Sequence, residues 1–74
     1  MDALNYLYQA LEEKISNQVF YNECSVRITN PAAGSLFARF RDDEAEHIKI
    51  LQKEIAAIES KPHPVNIVLS KLKN

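Results

Sequence analysis

The chain has 74 residues, among them one cysteine, one glycine, three prolines and no tryptophan. The single cysteine, Cys24, excludes an intrachain disulfide, and no Cys/His spacing indicates a structural zinc site. So little glycine and proline excludes a loop-rich, all-β or disordered chain. A chain of this size buries only about 60% of its unfolded surface. Without disulfide or zinc, self-association is the expected source of stability.

The charges nearly cancel, because nine lysine and arginine residues face ten aspartate and glutamate residues, for a net charge of −1. The basic residues are scattered and form no stripe, which predicts no nucleic-acid partner. No run of 18 apolar residues occurs, and the first residues lack the basic and apolar regions of a signal peptide. We therefore expect a cytoplasmic protein with no membrane partner.

Two long segments carry apolar residues at helical spacing. The first predicts a helix over about 2–29, with a stripe at Leu4, Leu7, Leu11, Ile15, Val19 and Val26. Asn30 suits a helix N-cap and Pro31 suits the first helical position, so a second helix is predicted over about 31–60. Prolines in 61–64 form a short connector. Apolar residues at i, i+3, i+4 and i+7 then predict a short helix over about 65–72, at Val65, Val68, Leu69 and Leu72.

The short turn between the two long helices makes them antiparallel neighbours. The fold class is therefore all-α, a single domain over 1–74 built as a helical hairpin with a short C-terminal helix. Two helices alone cannot close a core, since each covers only one side of the other. We expect the chain to form a homodimer or higher oligomer, with two hairpins docking about a twofold axis into a four-helix bundle.

Glu44 and His47 are three residues apart and share one face of the second helix. Alternating steps of three and four along this helix predict a seam at Phe37, Phe40, Glu44, His47, Leu51, Glu54 and Ile58. This seam places ionisable groups among apolar ones, and buried charges are costly unless they are paired or bind a metal. Glu44 and His47 are therefore the first candidates for a functional site.

The pattern around these two residues resembles the rubrerythrin and ferritin-like di-iron carboxylate family. The matching stretches, within about 3–58, are Ala10-Leu11, Phe20-Tyr21, Asn30-Pro31, Leu36-Phe37 and Asp43-Glu44-Ala45-Glu46-His47-Ile48. The resemblance implies half of a ferritin-like four-helix bundle, completed by a second copy. It also implies that Glu44 and His47 bind iron, manganese or another divalent metal, in chemistry resembling peroxide reduction or ferrous oxidation.

The chain departs from this family at Lys14. The family pattern places a glutamate seven residues before the tyrosine that is Tyr21 here, and that position holds lysine. In one interpretation a dimer still binds metal, with Glu13 brought in by a local helix distortion. In the other, the Lys14 ammonium replaces the metal and pairs with Glu44, leaving a metal-free, non-enzymatic dimerisation module. Tyr21 is expected beside either arrangement, and the sequence leaves enzymatic activity open.

Overall fold

A computed structural model describes residues 2–60, which form two α-helices, α1 (Ala3–Arg27) and α2 (Pro31–Ser60). The described residues contain no strand, so the all-helical prediction is confirmed for this range. Contacts near the turn join Asn22 to Arg41, and contacts at the far end join Tyr8 to Glu59. The helices are therefore antiparallel and form the predicted hairpin. The connector over 61–64 and the predicted helix over 65–72 lie outside the described residues.

Side-chain caps explain where the two helices begin. Asp2 caps α1, with its Oδ1 accepting a hydrogen bond from the Asn5 amide at 3.0 Å. Asn30 caps α2 in the same way through the Ala33 amide at 3.0 Å, as predicted. α1 ends at Arg27, two residues before the predicted position. Ile28 there takes an extended conformation (φ −73°, ψ 126°) that starts the chain reversal into Asn30 and Pro31.

The inward positions of both helices follow the alternating three and four spacing of a coiled coil. On α1 the half-buried residues on this line are Leu4, Leu7, Leu11, Lys14, Gln18, Tyr21 and Ser25, and the line continues to Ile28 just after the helix. On α2 the buried and half-buried residues on the matching line are Phe37, Arg41, Glu44, Ile48, Leu51, Ile55 and Ile58. Near the turn this line continues to Gly34, where an added Cβ would meet the Ser25 carbonyl oxygen at 3.4 Å.

Both predicted stripes need correction. On α2 the seam is right at Phe37, Glu44, Leu51 and Ile58. It is wrong at the exposed Phe40, His47 and Glu54, since Arg41, Ile48 and Ile55 take the inward positions. The predicted and the observed positions follow the same average helical period, so the sequence of α2 alone does not distinguish them. The packing of α1 determines which set faces inward.

On α1 the stripe drifts outward because steps of four advance by about 40° each. Its later members are therefore exposed, with Ile15 at 43%, Val19 at 61% and Val26 at 76%. No helix in the described range is long and apolar enough to cross a membrane.

Aromatic rings fill the half of the hairpin next to the turn. The ring of Tyr21 lies 6.1 Å from Phe37 and 5.5 Å from Phe40, measured between centroids, and Phe37 meets Phe40 edge to face at 5.9 Å. Such offset and edge contacts are the favoured geometries for aromatic pairs. The cluster fixes the turn half of the hairpin, immediately beside Glu44 on α2.

Candidate functional site

Glu44 is the most conspicuous polar residue of the hairpin, because its side chain is buried at the centre of α2. Three groups contact its carboxylate. The Lys14 ammonium lies 3.1 Å from Oε1, the Asn17 amide nitrogen donates to Oε2 at 2.9 Å, and His47 Nδ1 lies 2.8 Å from Oε1. Both oxygens therefore have partners, which offsets the cost of removing the carboxylate from water.

The helical register explains why these four side chains meet. Lys14 and Asn17 are three residues apart on α1, and Glu44 and His47 are three apart on α2, so each pair projects from one helix face. The antiparallel packing sets the two pairs at the same height. The alkyl chain of Lys14 crosses the interface and leaves its side chain 34% exposed, whereas that of Glu44 is only 7% exposed.

The surroundings of Glu44 favour its charged form. Burial acts to raise the pKa of this carboxyl, but hydrogen bonds from Asn17, His47 and Lys14 act against it, and the positive charge of Lys14 adds to them. The net result is a pKa below the ordinary glutamate value. The carboxylate is thus ionised at neutral pH and balances the ammonium of Lys14.

His47 lies at the edge of this network, with half of its side chain exposed. An ionised carboxylate only accepts hydrogen bonds, so Nδ1 of His47 carries the proton in the contact with Glu44. In the neutral ring, Nε2 then keeps its lone pair. The ring lines an open depression together with Tyr21, Phe40, Asp43 and Glu44. This depression gives solvent access to one side of the buried carboxylate.

The remaining predicted site residues lie at different distances from this centre. Tyr21 is beside it, but its phenol has no hydrogen bond to Glu44 or His47 among residues 2–60, and its ring packs with Phe37 and Phe40. Glu13 is exposed on α1, one position before Lys14. That neighbouring position is rotated by about 100° around the helix, away from the direction that brings Lys14 to Glu44.

The residues of one protomer do not fit a two-metal site. Within residues 2–60 no three side chains of the histidine, cysteine, aspartate and glutamate types gather as a metal ligand set. Glu44 and His47 meet, but the next charged group is the Lys14 ammonium at 3.1 Å, which repels a divalent cation. A metal at this place requires Lys14 to leave and further carboxylates to come from elsewhere.

Asn17 is the member of the network that the sequence interpretation missed. Its amide donates to the Glu44 oxygen that Lys14 does not contact. The available signal was its position three residues after Lys14, on the side of α1 that faces α2. An asparagine in the interior of a long helix also has poor intrinsic helix propensity, so a tertiary partner is a natural explanation for it there.

These features define a class of structure, an antiparallel two-helix hairpin with a charged network buried at its middle. No protein family, no characterised protein and no solved structure matches the chain by sequence or fold comparison. The resemblance to the rubrerythrin and ferritin-like family therefore rests on the sequence motifs quoted above.

Proposed function

We propose that this chain is a non-enzymatic self-association module. Two hairpins pack about a twofold axis into a ferritin-like four-helix bundle, in which the Lys14–Glu44 ion pair takes the place that metal occupies in the family. The observation that carries the proposal is the Lys14 ammonium, which lies 3.1 Å from the buried Glu44 carboxylate. The hydrogen bonds from Asn17 and His47 complete the coordination of that carboxylate without any metal.

The small core of one hairpin supports the self-association part of the proposal. Glu44 and Ile55 are the buried side chains of the described range, each 5% exposed. One stripe of α2, the His47 face, instead exposes Leu36 at 42%, Phe40 at 37% and Ile50 at 64%, with His47 among them. A second copy packed on the His47 face covers these apolar groups and supplies the burial that a two-helix chain lacks.

The polar network has a role in this bundle even without chemistry. A buried ion pair adds little net stability, and its best attested use is to select one register among many apolar alternatives. Shifting α1 along α2 by one heptad sets Glu44 against Leu7 or Tyr21 and removes its ammonium partner. The network therefore penalises a shifted hairpin and favours a single arrangement for the dimer.

A second candidate function is binding of iron, manganese or another divalent metal between two copies, as the family resemblance implies. The observation that favours it is His47, whose Nε2 keeps a free lone pair in the neutral ring beside the Glu44 carboxylate. The pair of Glu44 and His47 from each copy supplies four ligands. The two Lys14 charges and the shortage of carboxylates count against this candidate.

Elemental analysis together with the mass in solution tests both candidates on the full chain, purified without chelators or metal-affinity resin. The proposal expects a dimer that is free of metal and takes up no ferrous ion when it is added. Near-stoichiometric iron or manganese would refute the metal-free proposal in favour of the second candidate. A monomer at all accessible concentrations would refute self-association.

Charge reversal at Lys14 sharpens the distinction. In the metal-free module Lys14→Glu sets two carboxylates in contact, so the dimer should lose stability and gain none from ferrous or manganous ion. In a degenerate metal site the same variant should bind metal more tightly and be stabilised by it. Lys53→Glu is the matched control, since it makes the same charge change at an exposed position of α2.

A further inference from the structure

The side of the hairpin away from His47 carries its own apolar groove near the start of α1. The groove has a volume of about 300 Å³, and its lining residues are Tyr8, Leu11, Glu12, Ile15 and Ser16. Tyr8 and Ile15 remain 46% and 43% exposed. Nothing in the proposed dimer covers this groove, because the His47 face is a different stripe.

The position of the groove on the opposite side follows from the contacts of α1. Ala10 and Lys14 line a depression together with His47 and Ile50, which places them on the side of the His47 face. Ile15 is one residue beyond Lys14 and is rotated by about 100°, away from that depression. The groove and the His47 face are therefore separate surfaces.

The groove also lies where the chain leaves the hairpin. The Tyr8 hydroxyl donates a hydrogen bond to the Glu59 carboxylate at 2.5 Å, and Glu59 is the residue before the end of α2 at Ser60. Fourteen further residues, 61–74, follow from this point. Any segment formed by them starts within reach of Tyr8.

We propose that residues 65–72 of the same chain dock in this groove. Their apolar residues at helical spacing, Val65, Val68, Leu69 and Leu72, match its apolar lining. The four residues 61–64 can span up to about 14 Å, enough to turn back from Ser60. An eight-residue helix is about 12 Å long, close to the roughly 10 Å of α1 between Tyr8 and Ile15.

Charge complementarity supports the same partner. Glu12 lies at the rim of the groove, and two lysines flank the last apolar residue of the candidate segment: Lys71 within it and Lys73 directly after it. A segment that enters near Tyr8 and follows α1 towards Ser16 brings these lysines past Glu12. A tether of four residues also gives the segment a millimolar effective concentration at the groove, which a second copy does not have in dilute solution.

A spin label on Ser70 tests this docking in the full chain. The sample is the Cys24→Ala/Ser70→Cys protein, and Ser70 lies with Asn66 on the polar side of the predicted helix. We expect the label to broaden the amide signals of 8–16 on α1 and to leave those around Leu36 and Phe40 sharp. Unchanged signals over 8–16, or broadening on the His47 face, would overturn the proposal.

Two controls separate docking within one chain from docking between chains. Mixing spin-labelled chains with isotope-labelled chains that carry no spin label reports only contacts between copies. Broadening of 8–16 in that mixture would mean that a partner's segment, not the chain's own, fills the groove, and would overturn the proposal. Adding Leu69→Asp should remove the broadening, whereas Asn66→Asp should keep it. The docking does not depend on the proposed dimer, because the groove and the His47 face are separate surfaces. The mass in solution tests the dimer independently.

Discussion

Ile55 and Glu44 are equally buried, each with 5% of its surface exposed, yet one is apolar and the other charged. They lie on the same line of α2, eleven residues and about 16 Å apart. Around Ile55 the inward positions hold aliphatic residues of both helices, here called the aliphatic layer: Leu4, Leu7, Leu51 and Ile58. Around Glu44 the contacts are polar instead, made by the side chains of Lys14, Asn17 and His47, here called the polar layer.

The difference between the two layers separates two effects of packing in a small helical protein, stabilisation of the fold and selection of one register. Burial of apolar surface stabilises whatever arrangement achieves it, and many registers of two amphipathic helices achieve it almost equally. A buried carboxylate stabilises only the register that supplies its partners. The aliphatic layer therefore stabilises the folded state, and the polar layer favours one register of the two helices over the others.

The largest effect is expected from a change in the aliphatic layer. Ile55→Ala removes buried methyl groups and leaves a cavity, so it should lower the free energy of unfolding by about 2–4 kcal/mol. Chemical denaturation followed by helical circular dichroism measures this change. Val19→Ala, at a position 61% exposed on α1, is the control and should change it by less than about 0.5 kcal/mol. Equal effects of the two variants would contradict the burial difference.

The polar layer should respond to single and double changes in opposite ways. Lys14→Met removes the only ammonium in contact with Glu44 among the described residues and should lower the free energy of unfolding by about 1–3 kcal/mol. Lys14→Met combined with Glu44→Leu replaces the pair by apolar groups and should recover that stability or exceed it. The same denaturation measurement applies to both.

The double variant should then differ from the unchanged chain in the register of α1 against α2 rather than in stability. If the polar layer selects the arrangement, the apolar replacement should fold stably but populate more than one register, seen as doubled amide signals for α1. A double variant with a single set of signals would contradict the selecting role. A double variant less stable than Lys14→Met alone would contradict the comparison between the two layers.

Acid should weaken the polar layer and spare the aliphatic one. Because the pKa of Glu44 is lowered in the folded chain, its ionised form stabilises the fold above the ordinary glutamate pKa of about 4.3. That contribution is lost as the pH falls through the lower pKa of the folded state. Glu44→Gln should therefore show a shallower loss of stability with acid than the unchanged chain. Parallel pH profiles of the two proteins would refute this role of Glu44.

The smallest effect concerns the exposed contact at the open end of the hairpin. The hydrogen bond from Tyr8 to Glu59, with desolvation and the negative charge of Glu59, raises the pKa of the Tyr8 phenol. Tyr8→Phe should remove the component at highest pH from the phenolate absorbance titration and should leave thermal stability unchanged within error. Glu59→Gln should keep that component but move it to lower pH, and an unmoved component would contradict the contact.

Much of the hairpin was predictable from local signals. Asn30 and Pro31 mark the beginning of α2, and the Lys-Pro-His-Pro run over 61–64 follows its end at Ser60. These signals depend on residues next to one another in the chain. The inward line of α2 was only half right, because the choice between Phe40 and Arg41, or His47 and Ile48, depends on where α1 lies.

The candidate site shows the same limit. Glu44 was identifiable from helical spacing as a charged residue on the inward line, and Lys14 was identified as its counterpart from the family resemblance, which implies a glutamate at that position. Asn17 was not identified, since its bond to Glu44 depends on the relative height of the two helices. The dimer and the metal remain predictions, because they depend on a second chain that the hairpin alone does not specify.

The Lys14–Glu44 pair also constrains the order in which this sequence can change over evolutionary time. Reversing Lys14 alone brings two carboxylates together, and reversing Glu44 alone brings two ammonium groups together, so each single step should destabilise the hairpin. Glutamine at position 14 is a tolerable intermediate, because its neutral amide can still donate a hydrogen bond to Glu44. Exchange of lysine for glutamate at position 14 is thus expected to pass through a neutral residue.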